Sequence, residues 1–355
     1  MKRLFTLFLT PTLASTAIAA GYQNPAISAS DIGTAFAGGG SSIENASAQA
    51  YNPASLSRLK GINISAGGLG IKHRVRFFES NQADDYLASG NFYAATELGE
   101  SFVLGVAANQ PFLLENRYEK PWATADSWQQ NAELKITQFA SNLAYRAHEK
   151  FSLGLGIAYA RAAWAFDSLN DKDQALGWNV GVLLTPSNTM NVSVSYQSPF
   201  YFKGSGWQLK TPGKFTITTW QQLIRGWELM GKIEYTKWQN NGVRFASEQL
   251  PSISNKHGLK VAWGTAWNFY PQWKWKFGLA YDMSPMQVEN RTAALPQHND
   301  WYISTGLRYA HQLYGVVDFG YSYVYSSKSD AQTADWAGRF QTDAHLLGLQ
   351  YSIGF

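Results

Sequence analysis

The sequence is informative first for what it lacks. It contains no cysteine, which excludes disulfide bonds and thiolate metal sites. Only 15% of its residues are charged, and beyond the N-terminus no apolar run is long enough for a membrane-spanning helix. It has no G-x-S-x-G motif, and its histidines show no metal-ligand spacing. We therefore expect neither an enzyme nor a metal site.

The N-terminus has the pattern of a cleaved export signal. Lys2 and Arg3 precede an apolar stretch from Leu4 to Leu13, and small residues follow. The sequence Ala17-Ile18-Ala19 fits a cleavage site, which predicts a signal peptide at residues 1–19. Its removal lowers the formal net charge from +4 to +2, since two cations leave with it. The charge therefore gives no reason to expect a nucleic-acid partner.

An exported chain without a spanning helix is periplasmic, secreted or a membrane β-barrel. Aromatic residues make up 15% of this chain, and barrels need them for the girdles at the two membrane interfaces. The last twelve residues, Ala344–Phe355, alternate between a mainly apolar face and a small or polar face. Such alternation in a strand separates the two faces of a sheet. The pattern predicts an outer-membrane barrel in a Gram-negative bacterium.

Fourteen segments have strand character, an even number as a bacterial single-chain barrel requires. They lie near residues 62–72, 90–96, 101–109, 134–146, 151–166, 176–184, 190–202, 214–222, 227–238, 257–269, 273–283, 301–310, 316–325 and 344–355. Tight connections, as at residues 147–150, alternate with longer ones, as at residues 73–89, 110–133 and 167–175. Short periplasmic turns that alternate with long extracellular loops are typical of a transmembrane antiparallel β-barrel. We therefore predict an all-β fold with the barrel at residues 61–355.

Residues 20–60 lack sustained alternation and are rich in glycine and alanine. About forty residues do not form a stable domain alone. We expect this segment to lie inside the lumen as an N-terminal plug, or hatch. A disordered periplasmic arm is the alternative, although such arms are usually more charged.

Several motifs resemble the FadL/TodX-type outer-membrane transporters. The hatch of that family has a glycine- and alanine-rich stretch followed by Asn-Pro-Ala, and similar stretches lie here at residues 30–39 and 50–56. Further similar stretches follow in order at residues 104–112, 278–285, 291–301 and 317–323. The resemblance implies a monomeric fourteen-stranded barrel without cofactors. It also implies uptake of long-chain fatty acids or other hydrophobic compounds, with outer-membrane lipid and lipopolysaccharide as its surroundings.

Candidate binding residues lie in the loop and in the lumen. The predicted long loop could form an apolar landing site, meaning the surface that first binds a hydrophobic substrate from outside. Its residues would be Phe112, Leu113, Leu114, Trp122 and Trp128, unless these residues belong to the interfacial girdle. A carboxylate substrate would need inward-facing cations, for which Lys232, Lys260 and Arg308 are the candidates. The alternative for these cations is structural ion pairing with luminal carboxylates.

Two further groups are candidates for gating and release. In the hatch they are Gly33, Gly38, Asn52, Pro53 and Ala54, where the Asn-Pro pair favours a turn into the first strand. In the third strand they are Gly105, Asn109 and Pro111, since small residues and a missing N–H weaken strand pairing. The resemblance implies that substrate leaves sideways through a break there, whereas Pro111 could simply end the strand. The functional alternative to a hydrophobic-compound channel is a general diffusion porin or an adhesin-like structural barrel.

Overall fold

The chain folds as a closed antiparallel β-barrel. The structure is a computed structural model that describes residues 23–24, 27–77, 81–118, 132–166, 169–204, 207–224, 226–238, 242–245, 257–286, 288, 291, 296, 299–332 and 337–355. The predicted signal peptide and residues Trp122 and Trp128 lie outside these ranges.

The described strands are β1 (Ile62–Phe77), β2 (Asn81–Leu98), β3 (Phe102–Asn116), β4 (Ala132–His148), β5 (Phe151–Phe166), β6 (Leu169–Ser187), β7 (Met190–Gln197), β8 (Tyr201–Gly204), β9 (Trp207–Lys210), β10 (Gly213–Gln222), β11 (Trp227–Lys237), β12 (Gly242–Phe245), β13 (Gly258–Tyr270), β14 (Trp273–Met283), β15 (Asp300–His311), β16 (Gly315–Ser326), β17 (Ser329–Gln332) and β18 (Ala337–Gly354). Fourteen of them form the barrel in the order β1–β7, β10, β11, β13–β16 and β18, and β18 pairs with β1 to close it. The predicted fourteen-stranded barrel is confirmed.

The remaining strands lie outside the barrel wall. β8, β9 and β12 form a small three-stranded sheet, and β17 pairs only with β18. Two predicted long loops are wrong, because residues 73–77 and 81–89 continue the β1–β2 hairpin and residues 169–175 continue the β5–β6 hairpin. Alternation continues in these stretches with polar residues in place of apolar ones, so apolar content alone underestimated the strands.

The two rims of the barrel differ. Tight turns join β2 to β3, β4 to β5, β6 to β7, β10 to β11, β13 to β14 and β15 to β16 at one end, called here the tight-turn rim. Most of the longer connections lie at the other end, called here the loop rim. Such short turns belong to the periplasmic side of an outer-membrane barrel.

The outer face of the wall is apolar and aromatic. Leu155, Ile157 and Trp263 are each more than half exposed, whereas the residues between them point inward and are buried or small. This is the alternation of a strand with one face toward lipid.

The N-terminal segment packs against the inner face of the barrel. It contains three 3-10 helices, Ala29–Thr34, Ala46–Ala50 and Pro53–Arg58. The first packs against β13–β16 and β18, whereas the third packs against β3–β6 on another part of the wall. Nearly all residues from Ile27 to Leu59 are buried. The segment therefore bridges the lumen between separate parts of the wall.

Candidate functional site

The wall opens between β2 and β3. In the described residues their ladder runs only from the pair Leu98–Phe102 to the pair Phe92–Ala108, although both strands continue toward the loop rim. β3 keeps its pairing with β4 as far as Asn116, while β2 keeps its pairing with β1 as far as Asn81. The two strands thus separate beyond Ala108 and meet again only at an isolated bridge between Ala83 and Tyr118. The opening between these two points in the loop-rim half of the wall is called here the β2–β3 gap.

An irregularity in β3 lies at the start of this gap. The register with β4 shifts between Asn109 and Phe112, a stretch that includes Pro111. Pro111 has no N–H to donate to a neighbouring strand, so it is tolerated where β2 has already diverged. β3 continues to Asn116, so Pro111 does not end the strand.

The residues predicted to form the kink have different positions. Asn109 and Pro111 lie in the irregular stretch, whereas Gly105 lies in a regular ladder between Ala95 and Asn142. Gly105 instead permits close approach of the N-terminal segment. A Cβ atom there would come within 2.5 Å of the Gln49 side chain.

The N-terminal segment reaches into the gap. Gln23 forms an isolated β-bridge with Phe112, and the Asn24 amide N–H donates to the Pro111 carbonyl at 2.9 Å. The Asn24 side chain donates to the Gln110 carbonyl at 2.9 Å. The carbonyls freed by the irregularity in β3 are therefore partly satisfied by the N-terminal segment rather than by β2.

A cavity of about 130 Å³ lies between the N-terminal segment and the loop rim, next to the gap. Its apolar wall comes from several strands: Ile71, Leu87, Leu114, Tyr302, Val324 and Leu346. Asn24 and Gln23 line the side toward the N-terminal segment. Asp300 is an inward-facing carboxylate of the lining, and it accepts a hydrogen bond from the Ser326 hydroxyl. The cavity thus offers an apolar surface and, beside it, polar side chains that include the carboxylates of Glu115, Asp300 and Asp343.

The predicted landing residues lie in the barrel wall rather than in a loop. Phe112 and Leu114 are buried and point inward from β3, and Leu113 also lies at the cavity. The loop prediction was wrong for these residues because β3 continues past Pro111.

Charged side chains fill the lumen beside the first 3-10 helix. Glu44 of the N-terminal segment contacts Lys274 at 2.7 Å, Lys276 at 2.5 Å and Arg308 at 2.8 Å. Lys276 and Arg308 also contact Asp318, at 3.1 and 3.2 Å. Burial alone would raise the pKa of the Glu44 carboxyl, but the charges of Arg308, Lys274 and Lys276 hold it well below its usual range. Glu44 therefore ties the N-terminal segment to the wall as a carboxylate.

The other two predicted cations are also paired. Lys232 contacts Glu234 at 2.6 Å, and Lys260 contacts Asp282 at 3.1 Å. The ammonium group of Lys260 lies 3.9 Å from the centre of the Tyr302 ring, which lines the cavity. All three predicted carboxylate binders, Lys232, Lys260 and Arg308, thus have carboxylate partners within the barrel.

The predicted hatch residues lie where the N-terminal segment meets the wall. A Cβ atom on Gly33 would lie 2.8 Å from the Cα atom of Gly306, and one on Gly38 would lie 2.7 Å from the sulfur of Met230. Asn52 caps the 3-10 helix that begins at Pro53 by accepting from the Ala54 amide at 2.8 Å. Its amide group also donates to the Val182 carbonyl at 2.9 Å, so the turn is fixed to β6.

Sequence reasoning missed Glu44, Tyr93 and Asp300. Tyr93 donates to the Ile27 carbonyl at 2.5 Å and accepts from Asn109, so it joins β2, β3 and the N-terminal segment. Its inward position was available from the alternation of β2, but Glu44 lies in a segment without periodicity. No sequence signal places Glu44 beside β14 and β15.

Comparisons with a family model and with individual proteins agree on one family. The model of the family described as "Outer membrane protein transport protein (OMPP1/FadL/TodX)" matches residues 11–171 and 204–355. The "Long-chain fatty acid transport protein" of Salmonella typhi is 23% identical over an alignment that covers 100% of this chain and 99% of that protein.

Solved structures agree with the fold. A Pseudomonas aeruginosa FadL homologue has a TM-score of 0.83 at 15% identity, covering 95% of this chain and 100% of its own. The Pseudomonas putida toluene transporter TodX has a TM-score of 0.65 at 14% identity, covering 86% of this chain and 92% of its own. At these identities the structural likeness establishes the barrel architecture alone.

Proposed function

The chain belongs to the OMPP1/FadL/TodX family of outer membrane transport proteins, and we propose that it is a passive channel that carries small hydrophobic molecules across the outer membrane. The observation that carries this proposal is the apolar cavity beside the β2–β3 gap. An apolar solute in such a cavity is separated from water and lies next to an opening toward lipid. We propose no catalytic step and a monomeric channel.

The route follows from the geometry of the lumen. The N-terminal segment acts as the hatch below the cavity, where a small polar cavity of about 20 Å³ lies between it and the wall. That volume holds about one water molecule, and nearly all residues from Ile27 to Leu59 are buried, which supports a closed direct path to the periplasm. Because β2 and β3 separate beside the cavity, substrate leaves sideways through the gap into the bilayer.

Long-chain fatty acids are the first substrate class to test. The Salmonella typhi relative named for their transport aligns over the whole of this chain. Their carboxylate would need a partner, and Lys232 and Lys260 are already paired with carboxylates. Transport of fatty acids therefore requires either rearrangement of these pairs or contact of the head group with hydrogen-bond donors such as Asn24 and Ser326.

Small aromatic hydrocarbons are the second class, and the volume of the cavity favours them. An apolar cavity of roughly 150 Å³ accommodates benzene, and the cavity here measures about 130 Å³. A hydrocarbon needs no charged partner. The structural likeness to a protein titled a toluene transporter is consistent with this candidate.

Growth and uptake in a strain that lacks other such transporters test the proposal. The strain expressing this protein is compared with the empty strain on oleate and on an alkylbenzene as sole carbon source, with radiolabelled uptake of each. We expect protein-dependent uptake of at least one compound and no protein-dependent swelling of liposomes in small sugars. Free passage of sugars without uptake of either hydrophobic compound would instead establish a general diffusion porin.

A further inference from the structure

Three cations lie together on the outer face of the barrel near the loop rim, on the wall formed by β4–β6, where Lys135 is the cross-strand neighbour of Leu113. They are Lys135 on β4, Arg161 on β5 and Lys172 on β6, and all three are exposed. Each lies at an outward-facing position of its strand, on the same face as exposed apolar residues nearer the middle of the wall. They are called here the outer basic cluster.

The strand register fixes how the cluster is arranged. Phe139, Tyr159 and Leu176 form one row across β4, β5 and β6 at the upper edge of the apolar belt. Arg161 lies in the next row toward the loop rim, between Thr137 and Gln174. Lys135 and Lys172 lie one row further, on either side of Ala163. Lys135 and Lys172 therefore flank Ala163 nearest the loop rim. Arg161 lies one row closer to the middle of the wall, and the row of Phe139, Tyr159 and Leu176 follows it.

The cluster lacks its own counter-charges in the part of the chain that the structure describes. None of its members forms an ion pair there, and the nearby carboxylates have other partners. Glu133 contacts Arg117 at 3.4 Å, Asp171 accepts from the Trp207 indole at 2.6 Å, and Asp173 accepts from the Lys203 amide at 2.5 Å.

A second group of outward cations at the same rim shows the opposite arrangement. Arg74 contacts Asp84 at 3.3 Å, and Arg76 contacts Asp343 at 2.7 Å. Lys72 lies 3.9 Å from Asp84. On the side formed by β1, β2 and β18 carboxylates of the wall thus pair with the outward cations, whereas on the side formed by β4–β6 the described carboxylates contact other groups.

We propose that the outer basic cluster binds the phosphate groups of lipid A, the anchor of lipopolysaccharide in the outer leaflet. The cluster lies directly above the apolar belt, at the level where the phosphorylated head group of that lipid meets the protein. Its guanidinium and ammonium groups pair with phosphate oxygens. Acyl chains of the same lipid pack on Phe139, Tyr159 and Leu176. This site goes beyond transport, since it rests on the outer face of the wall and not on the substrate.

Titration of the purified full-length protein with lipid A by native mass spectrometry tests the proposal. The probes are hexa-acylated lipid A with both phosphates and the same lipid after dephosphorylation, in buffer without magnesium. We expect wild type to prefer the phosphorylated form by roughly 100-fold, since three cations contribute near an anionic lipid surface. The triple variant Lys135→Ser, Arg161→Ser, Lys172→Ser should bind both forms alike, whereas Lys135→Arg with Lys172→Arg should retain the preference.

The control variant neutralises an ion pair of the second group of outward cations, on β1 and β2, instead. Arg74→Gln with Asp84→Asn leaves the net charge unchanged and should keep the preference for phosphorylated lipid A. The proposal is overturned if the triple variant binds phosphorylated lipid A as tightly as wild type, or if the control variant loses as much binding. Competition by millimolar inorganic phosphate would show a small-anion site and would also overturn it. Uptake of the hydrophobic substrate by the triple variant should stay unchanged, so a failure of this site is distinguishable from a failure of the transport function.

Discussion

Glu44 joins the N-terminal segment to the wall, because it contacts three cations of β14 and β15. Alternation predicts that its neighbours on β14 and β15 point inward, since Lys274, Lys276 and Arg308 lie opposite exposed residues such as Trp275. Alternation also placed Asp318 in the lumen. The partner from the N-terminal segment was not predictable, because a segment without a repeating pattern gives no rule for which side chain faces the wall.

Replacement of Glu44 by glutamine should loosen the N-terminal segment. Removal of one partner from a buried ion-pair group destabilises by about 3–5 kcal/mol, and Glu44 is the shared partner here. We expect more frequent open events in planar bilayers and a lower unfolding temperature. Lys60→Gln is the matched control, since the Lys60–Glu97 pair is largely exposed and should matter little. Equal conductance of the two variants would contradict the role given to Glu44.

Asp31 should make the docking of the N-terminal segment depend on pH. Burial raises the pKa of its carboxyl from 3.8 to about 6. The folded protein therefore binds this proton more tightly than the unfolded chain does, so the stabilisation is complete below pH 3.8 and is lost as the pH rises through 6. Channel recordings should show more open events at pH 7.5 than at pH 5, and Asp31→Asn should reduce this difference. A variant with the pH profile of wild type would show that another group titrates.

Among the elements, the strands were far easier to predict than the contacts of the N-terminal segment. β5 and β14 have the predicted bounds, because their alternation is strong and tight turns define their ends. The hairpin of β1 and β2 extends further than its apolar residues indicate. Pro111 marks the irregular stretch of β3 at the start of the β2–β3 gap, whereas β2 carries no sequence signal for its separation from β3.

The third 3-10 helix should dock on β5 only because Gly154 has no side chain. A Cβ atom there would lie 2.5 Å from the carbonyl carbon of Pro53. Gly154→Val should displace the helix, raise conductance to small ions and leave a folded, heat-modifiable barrel. Gly70→Val on β1 is the control, because a Cβ atom there meets nothing within 4 Å. Similar conductance in both variants would argue against close docking at Gly154.

At the scale of the whole molecule, composition and periodicity were sufficient for the barrel, its strand number and its membrane. Those properties follow from local alternation and from the requirement that every backbone group be paired in lipid. The cavity and its opening were not predictable in the same way. They depend on how Gln23 and Asn24 meet the irregular stretch of β3, over a sequence separation of more than eighty residues.

Exit of a hydrophobic molecule through the β2–β3 gap can be blocked reversibly by a cross-link between the two strands. The chain has no cysteine, so Ala88→Cys with Leu113→Cys can be bridged specifically by bis-methanethiosulfonate reagents of increasing length. Ala94→Cys with Val106→Cys is the control pair, since these residues face each other in the intact part of the ladder. We predict that bridging the gap abolishes uptake of the transported compound, that reduction restores it, and that the control cross-link leaves it unchanged. Undiminished uptake through a fully cross-linked gap would contradict the account.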